Sequence, residues 1–143
     1  MKSTFSKSSI TLEQAQSIAL ATCAKAMELE MSITVCIVDE SGQMKLFNSM
    51  DQAPIISLSV AKQKAVTAVG FGIPTGDSWY NFIKDDPILN QGMHDVQDFV
   101  LLGGGSPIMI NDELVGAIGV SGGHYKQDEE CVQAGLSAIK LLE

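Results

Sequence analysis

The sequence predicts an α+β protein, a sandwich in which helices cover a five-stranded antiparallel sheet. Three observations lead there. Helical stretches with apolar steps of three or four alternate with short runs rich in β-branched residues. Turns of a few residues join several of those runs, which makes neighbouring strands antiparallel. The 143 residues, 45% hydrophobic and 18% charged, suffice for one domain with a real core.

The elements justify this in order. Residues 1–10 are rich in Ser and Lys and read as a flexible N-terminal arm, with residues 11–143 as a single domain. Thr11-Leu12-Glu13-Gln14 has the form of a capping box and opens a helix ending near Glu30. Leu12, Ala15, Ala19, Cys23, Ala26 and Leu29 would form its apolar face. "ITVCIVD" (Ile33 to Asp39) is a strand, "DESGQ" a turn and "MKLFNSM" (Met44 to Met50) its hairpin partner. Pro54 suits the first turn of a second helix, with Leu58, Ala61, Ala65 and Val69 inward and Lys62 and Lys64 on other faces. Gly70, Gly72 and Pro74 stop it.

Residues 75–98 are the least regular part. Trp79, Tyr80, Phe82 and Ile83 suggest a short amphipathic helix, and "DDPILNQG" a turn or helical stub. Three strand candidates follow: "FVLL" (Phe99 to Leu102), "PIMI" (Pro107 to Ile110) and "LVGAIGVS" (Leu114 to Ser121), the last two joined by a tight "NDE" turn. Tyr125 to Glu143 closes the chain as a helix, with Cys131, Ala134, Leu136, Ala138, Ile139 and Leu142 as its stripe.

Composition excludes several functions. The net charge of −8 provides no basic stripe for nucleic acid. The apolar runs are too short to span a membrane, and no signal peptide is visible, so the expected location is cytoplasmic. The three cysteines lack C-x-x-C spacing and read as small buried hydrophobes. No Cys/His cluster offers a closed zinc site, so no metal is expected. Haem needs only one or two axial ligands, which leaves His94 and His124 open to that role.

Gly119-Val120-Ser121-Gly122-Gly123 matches the G-x-S-x-G of a nucleophile elbow. His124 and Asp128 lie too close along the same element to complete a triad, so the small residues read as a tight strand-to-helix turn. No catalytic residue is assigned. The run Gly103-Gly104-Gly105 marks a bulge or a close backbone approach, to another subunit or to a flat ligand. Asp39 and Asp51 end the hairpin strands, where Asp residues serve mostly as turn and cap residues. Lys62 is placed to pair with Asp51.

Two signatures then resemble a known family. The first is a strand ending Val38-Asp39 with Gly42, a strand ending Met50-Asp51, A-x-x-K-A over Ala61 to Ala65, and Phe71-Gly72-Ile73-Pro74-Thr75. The second is Gly104 to Pro107, Val115 to Gly122, then Gln127-Asp128, Cys131 and Ala134-Gly135. Over residues 11–143 the chain resembles the GlcG / HbpS / PduO C-terminal family of small haem-binding-type domains. The resemblance implies a profilin-like α-β-α sandwich and a homo-oligomer, often a tetramer or octamer. It also implies an association with glycolate or diol and glycerol metabolism. The expected function is that of a non-catalytic accessory protein holding haem, or a related tetrapyrrole or corrinoid, in an oligomer. Met50, Asp51, Lys62, Gly103, Gly104 and Ser121 are its expected lining residues. The alternatives are a structural partner of a metabolic enzyme and an enzyme acting on a small acidic metabolite. Trp79, Tyr80 and Phe82, or a sheet edge, are the expected subunit contact.

Overall fold

In the computed structural model, residues 1–139 are described. The elements run α1 (Leu12–Glu28), β1 (Thr34–Asp39), β2 (Met44–Ser49), α2 (Ser57–Phe71), α3 (Asp77–Ile83) and α4 (Pro87–Gly92). A 3-10 turn (Met93–Asp95), β3 (Gly105–Ile110), β4 (Glu113–Ser121) and α5 (Tyr125–Leu136) complete them. The sheet order is β2-β1-β4-β3, and every pair is antiparallel.

Strand alternation divides the core into two layers. Val35, Ile37, Ile118 and Val120 point toward α1 and α5. Cys36, Val38 and Ala117 point toward α2, where Ala61, Ala65 and Ala68 meet them. Gly119 makes this second layer thin, since a Cβ there would collide with the Ala61 carbonyl oxygen and the Ala65 nitrogen. Helix α2 lies over β1, β4 and β3 and leaves β2 largely uncovered.

Thr11 caps α1 as its sequence indicates, accepting from the Gln14 N–H at 3.1 Å. The buried face differs from expectation: Ile18 and Thr22 are inside and Leu12 is half exposed. The Thr22 hydroxyl is satisfied by the Ile18 carbonyl at 2.7 Å, and Gly135 of α5 lets the two helices cross closely there. Ile10 is buried as well, its N–H donating to the Val115 carbonyl at 3.0 Å.

The fifth strand is not formed. Phe99 to Leu102 joins no ladder, so the sheet has four strands among the described residues. Its polar groups are satisfied elsewhere. The Thr67 hydroxyl donates to the Asp98 carbonyl at 2.9 Å and accepts from the Val100 N–H at 3.1 Å, and Gly76 N–H donates to the Leu101 carbonyl at 2.8 Å. β3 instead begins earlier than expected, at Gly105. Asn111 and Asp112, at φ 51° and 63°, make the hairpin turn to β4.

Two expectations for α2 need correction. Leu58 faces solvent, and Lys64 is buried at 1% exposure. In the irregular segment Trp79 and Ile83 are buried while Tyr80 and Phe82 are exposed. Trp79 packs edge-to-face with Phe71, Phe82 and Phe99 of its own chain, a core role rather than a surface contact. α5 stops at Leu136, and Leu142 lies outside the described residues.

Candidate functional site

One end of the sheet gathers most of the residues singled out from the sequence. Thr34 opens β1 there, opposite Ser49 on one side and Ser121 on the other, and Gly104 accepts from the Val120 N–H at 2.8 Å. Met50 is half-buried against the core, its Sδ 3.5 Å from the Ile33 N–H. Asp51 sits exposed in the following turn, and Lys62 is exposed on α2. The expected Lys62–Asp51 pair is not among the ion pairs of the described residues. Asp39 is a turn residue, its carboxylate accepting from Ser41 N–H at 2.9 Å and Gln43 N–H at 3.0 Å.

The buried ion pair is Lys64–Asp128. Nζ lies 2.9 Å from Asp128 Oδ2 and 2.8 Å from the Val120 carbonyl, and Asp128 Oδ1 accepts from the Gly123 N–H at 3.1 Å. Both side chains are 2% exposed. Burial lowers the Lys64 pKa and raises that of Asp128, against the attraction each feels from the other. The pair ties α2, the end of β4 and the first turn of α5 together.

It also disposes of the nucleophile elbow. Ser121 ends β4 in a buried position, but Asp128 is committed to Lys64. His124 is exposed and caps α5: Nδ1 accepts from Lys126 N–H at 3.1 Å while Gln127 accepts from His124 N–H at 3.2 Å. His94, also exposed, sits edge-on to Phe99 at 5.6 Å. Among the described residues no cluster of His, Cys, Asp and Glu forms a metal site.

The glycine run is a strap laid over the buried pair. A Cβ on Gly104 (φ 116°) would sit 2.7 Å from the Val120 carbonyl oxygen and 2.9 Å from Lys64 Nζ. One on Gly103 would strike Glu129 and the Tyr125 ring, and one on Gly105 the Lys64 carbonyl at 2.5 Å. The strap therefore lies in close approach to α2 and α5 of the same chain. Gly105 N–H donates to the Thr75 hydroxyl at 2.8 Å and fixes the strap's far end.

A groove runs along the strap between the first turns of α3 and α5. On one side is a cavity of about 770 Å³, lined by Gly104, Gly105, Ser106, Asp77, Lys126 and Glu129 among others. On the other is a cleft of about 320 Å³, lined by Gly76, Asp77, Tyr80, Leu101, Leu102, Gly103 and Tyr125. Asp77 borders both. Lys126 Nζ bridges the walls, 2.7 Å from Asp77 Oδ2, and that hydrogen bond raises its pKa. It lies 5.4 Å from the centre of the Tyr125 ring, which itself stacks on His124 at 4.5 Å. Met50, Asp51, Lys62 and Ser121 line neither space.

Sequence reasoning passed over Lys64 and Asp128 although both lie inside the quoted signatures. Lys64 is one residue from Ala65 and three from Ala61, on the same stripe as the buried alanines. Its type, not its position, argued for solvent. Tyr80 and Tyr125 had no such signal, because the chain folds them together across 45 residues.

Comparison with known proteins follows this geometry. A protein of Citrobacter freundii described as an uncharacterized 15.0 kDa protein in the dhaT-dhaS intergenic region is 32% identical, across 93% of this chain and 94% of that one. The crystal structure of Klebsiella pneumoniae protein ORFY superposes with a TM-score of 0.92 at 30% identity, covering 100% of this chain and 99% of that one. The crystal structure of a PduOC:heme complex superposes with a TM-score of 0.85 at 26% identity, over 92% and 95%. A family model described as haem degrading protein HbpS-like matches residues 10–137, nearly all of the sequence, and the chain belongs to that HbpS-like family.

Proposed function

We propose that this chain is a cytoplasmic, non-catalytic accessory protein that binds a planar tetrapyrrole of the haem class. It acts as a homo-oligomer and serves diol or glycerol metabolism. The family and the haem complex of a relative with the same fold support the ligand class. The groove along the glycine strap supports the place.

The residues of the smaller cleft fit such a group. Gly103 admits no side chain, which keeps the floor flat. Leu101 and Leu102 offer apolar wall, and Tyr80 and Tyr125 offer phenol oxygens, one of the donor types that hold haem iron. Lys126, which lines the adjoining larger cavity and pairs with Asp77, would supply a cation for a propionate. The cleft, at about 320 Å³, lies at the low end of ligand sites, so it would hold only part of such a ring. When bound, haem supplies redox and dioxygen chemistry through its iron.

The histidines fit this role less well. With Nδ1 of His124 accepting a backbone N–H, its proton sits on Nε2, and ligation would cost the helix cap. His94 lines none of the cavities described. The observation that carries the reading is the glycine floor between two phenols, in a fold whose relative is solved with haem. Titration of the folded protein with hemin tests it. A Soret shift at micromolar protein, weakened in Tyr125→Phe or Tyr80→Phe, is the expected result. The absence of any shift removes haem from this protein.

A further inference from the structure

The two edges of the sheet are finished differently. β3 carries Pro107, which has no N–H to offer, and its start is closed by Thr75, whose N–H donates to the Gly105 carbonyl at 3.0 Å. β2 has neither protection. All of its residues except Leu46 are exposed, and its outer edge takes no backbone partner among the described residues. An edge of this kind invites a second chain.

The face of β2 that should lie under a helix is bare as well. Register places Phe47 opposite Cys36 and Met44 opposite Val38, on the side that α2 covers over β1. Both stand beside that layer without a helix above them, at 37% and 48% exposure. A chain of hydroxyls seats the first turn of α2 at the Ser49 end of β2, two residues from Phe47: Thr34 Oγ1 lies 2.8 Å from Ser57 Oγ and 3.3 Å from Ser49 Oγ. The residues leading into α2 add Ile55 at 87% and Ile56 at 68% exposure, and its first turn adds Leu58 at 41%. Phe47, Ile55, Ile56 and Leu58 thus leave apolar side chains exposed around one end of β2, with Met44 further along the strand.

Charge indicates what covers it. The chain carries 17 acidic residues and a net charge of −8, so most faces of two copies repel. Residues 41–63, which build this surface, contain Lys45 and Lys62 against one carboxylate, Asp51. Long lysine stems can lie at the rim with their charges in water. We infer that a second copy of this chain packs here about a two-fold axis, burying Phe47, Ile55, Ile56 and Leu58 of each copy against the other. This rests on the homo-oligomer reading above and assigns its surface. The exposed rings of α3, Tyr80 and Phe82, stay outside the contact.

Light scattering on the full chain is the test, comparing wild type with Phe47→Ser/Ile56→Ser and with Phe82→Ser. The wild type is expected as an oligomer, and Phe82→Ser is expected to match it. The double variant should fall to half that mass or to the 15.2 kDa monomer, with an unchanged circular dichroism spectrum. An assembly whose mass ignores the double variant overturns this surface and leaves the oligomer reading standing. A wild type that is monomeric at every concentration overturns both. Hydrogen exchange of the unmodified protein decides the matter even if the double variant does not fold. Amides of residues 44–49 should exchange several-fold more slowly as protein concentration rises, and exchange that does not depend on concentration refutes the contact.

Discussion

Replacing Asp128 by Ala strands the Lys64 ammonium in a site where it is 1% exposed, with only the Val120 carbonyl left to accept from it. Removing one partner of a buried pair costs about 3–5 kcal/mol. The upper end can be worked out independently, because a stranded lysine can discharge. From an ordinary pKa of 10.5, deprotonation at pH 7 costs about 5 kcal/mol at roughly 1.4 kcal/mol per unit. That is a large share of the roughly 5–15 kcal/mol that holds a domain folded. The sign of the pH dependence follows. In the variant the unfolded chain binds the Lys64 proton and the folded chain does not, so stability rises with pH up to 10.5. At pH 9 the same discharge costs only about 2 kcal/mol. Urea denaturation at pH 7 and pH 9 should therefore show a penalty that shrinks by more than half. The double variant Lys64→Met/Asp128→Leu should lose less than the two single changes added together. It still leaves the Val120 carbonyl and the Gly123 N–H without their partners, at about 1–3 kcal/mol each. A single-variant penalty under about 1 kcal/mol, or one that is the same at both pH values, refutes the reasoning.

Other outcomes follow from the same geometry. Burial raises the Cys36 and Cys131 thiols from 9.0 to about 11, so the folded state holds these protons more tightly than the unfolded chain. That stability is intact below pH 9 and is lost as pH rises toward 11, which denaturation midpoints across the range will show. Gly119→Ala drives a methyl into the Ala61 carbonyl and should cost about 1–3 kcal/mol or more, whereas Gly70→Ala meets nothing within 4 Å and should stabilise α2 by up to about 1 kcal/mol; thermal melts of the two variants should move in opposite directions. Trp79→Ala removes a ring buried among Phe71, Phe82 and Phe99 and should cost about 3–5 kcal/mol without changing the assembly, as calorimetry and light scattering together will show.

The helices at both ends, the first hairpin and the β3–β4 hairpin were all legible in periodicity, caps and turn residues. Thr11 and the Asn111-Asp112 turn act as local chemistry dictates. The extra strand came from the apolar content of Phe99 to Leu102. That content is real, but it serves the cluster around Trp79, and Thr67 takes the backbone groups a ladder would have taken. Lys64 was misplaced because a charged side chain seldom enters a core without a partner, and its partner lies 64 residues away. Residue type leaves His124 open as a haem ligand, and the first turn of α5 uses its side chain as a cap. The glycine strap was recognised as a close approach, but what it approaches depends on tertiary packing that no local pattern contains.

The thin layer between α2 and the sheet has a consequence for motion. With Gly119 under Ala61 and Ala65, helix backbone rests nearly on strand backbone, and α2 has no slack in which to slide or roll. The strap, α2 and β4 are accordingly held together as one packed unit. The α3 wall of the groove is joined to α5 differently, through the exposed Lys126–Asp77 pair, which dissolved salt screens. The tie across the groove therefore weakens as ionic strength rises, while the packing of α2 on the sheet does not depend on salt.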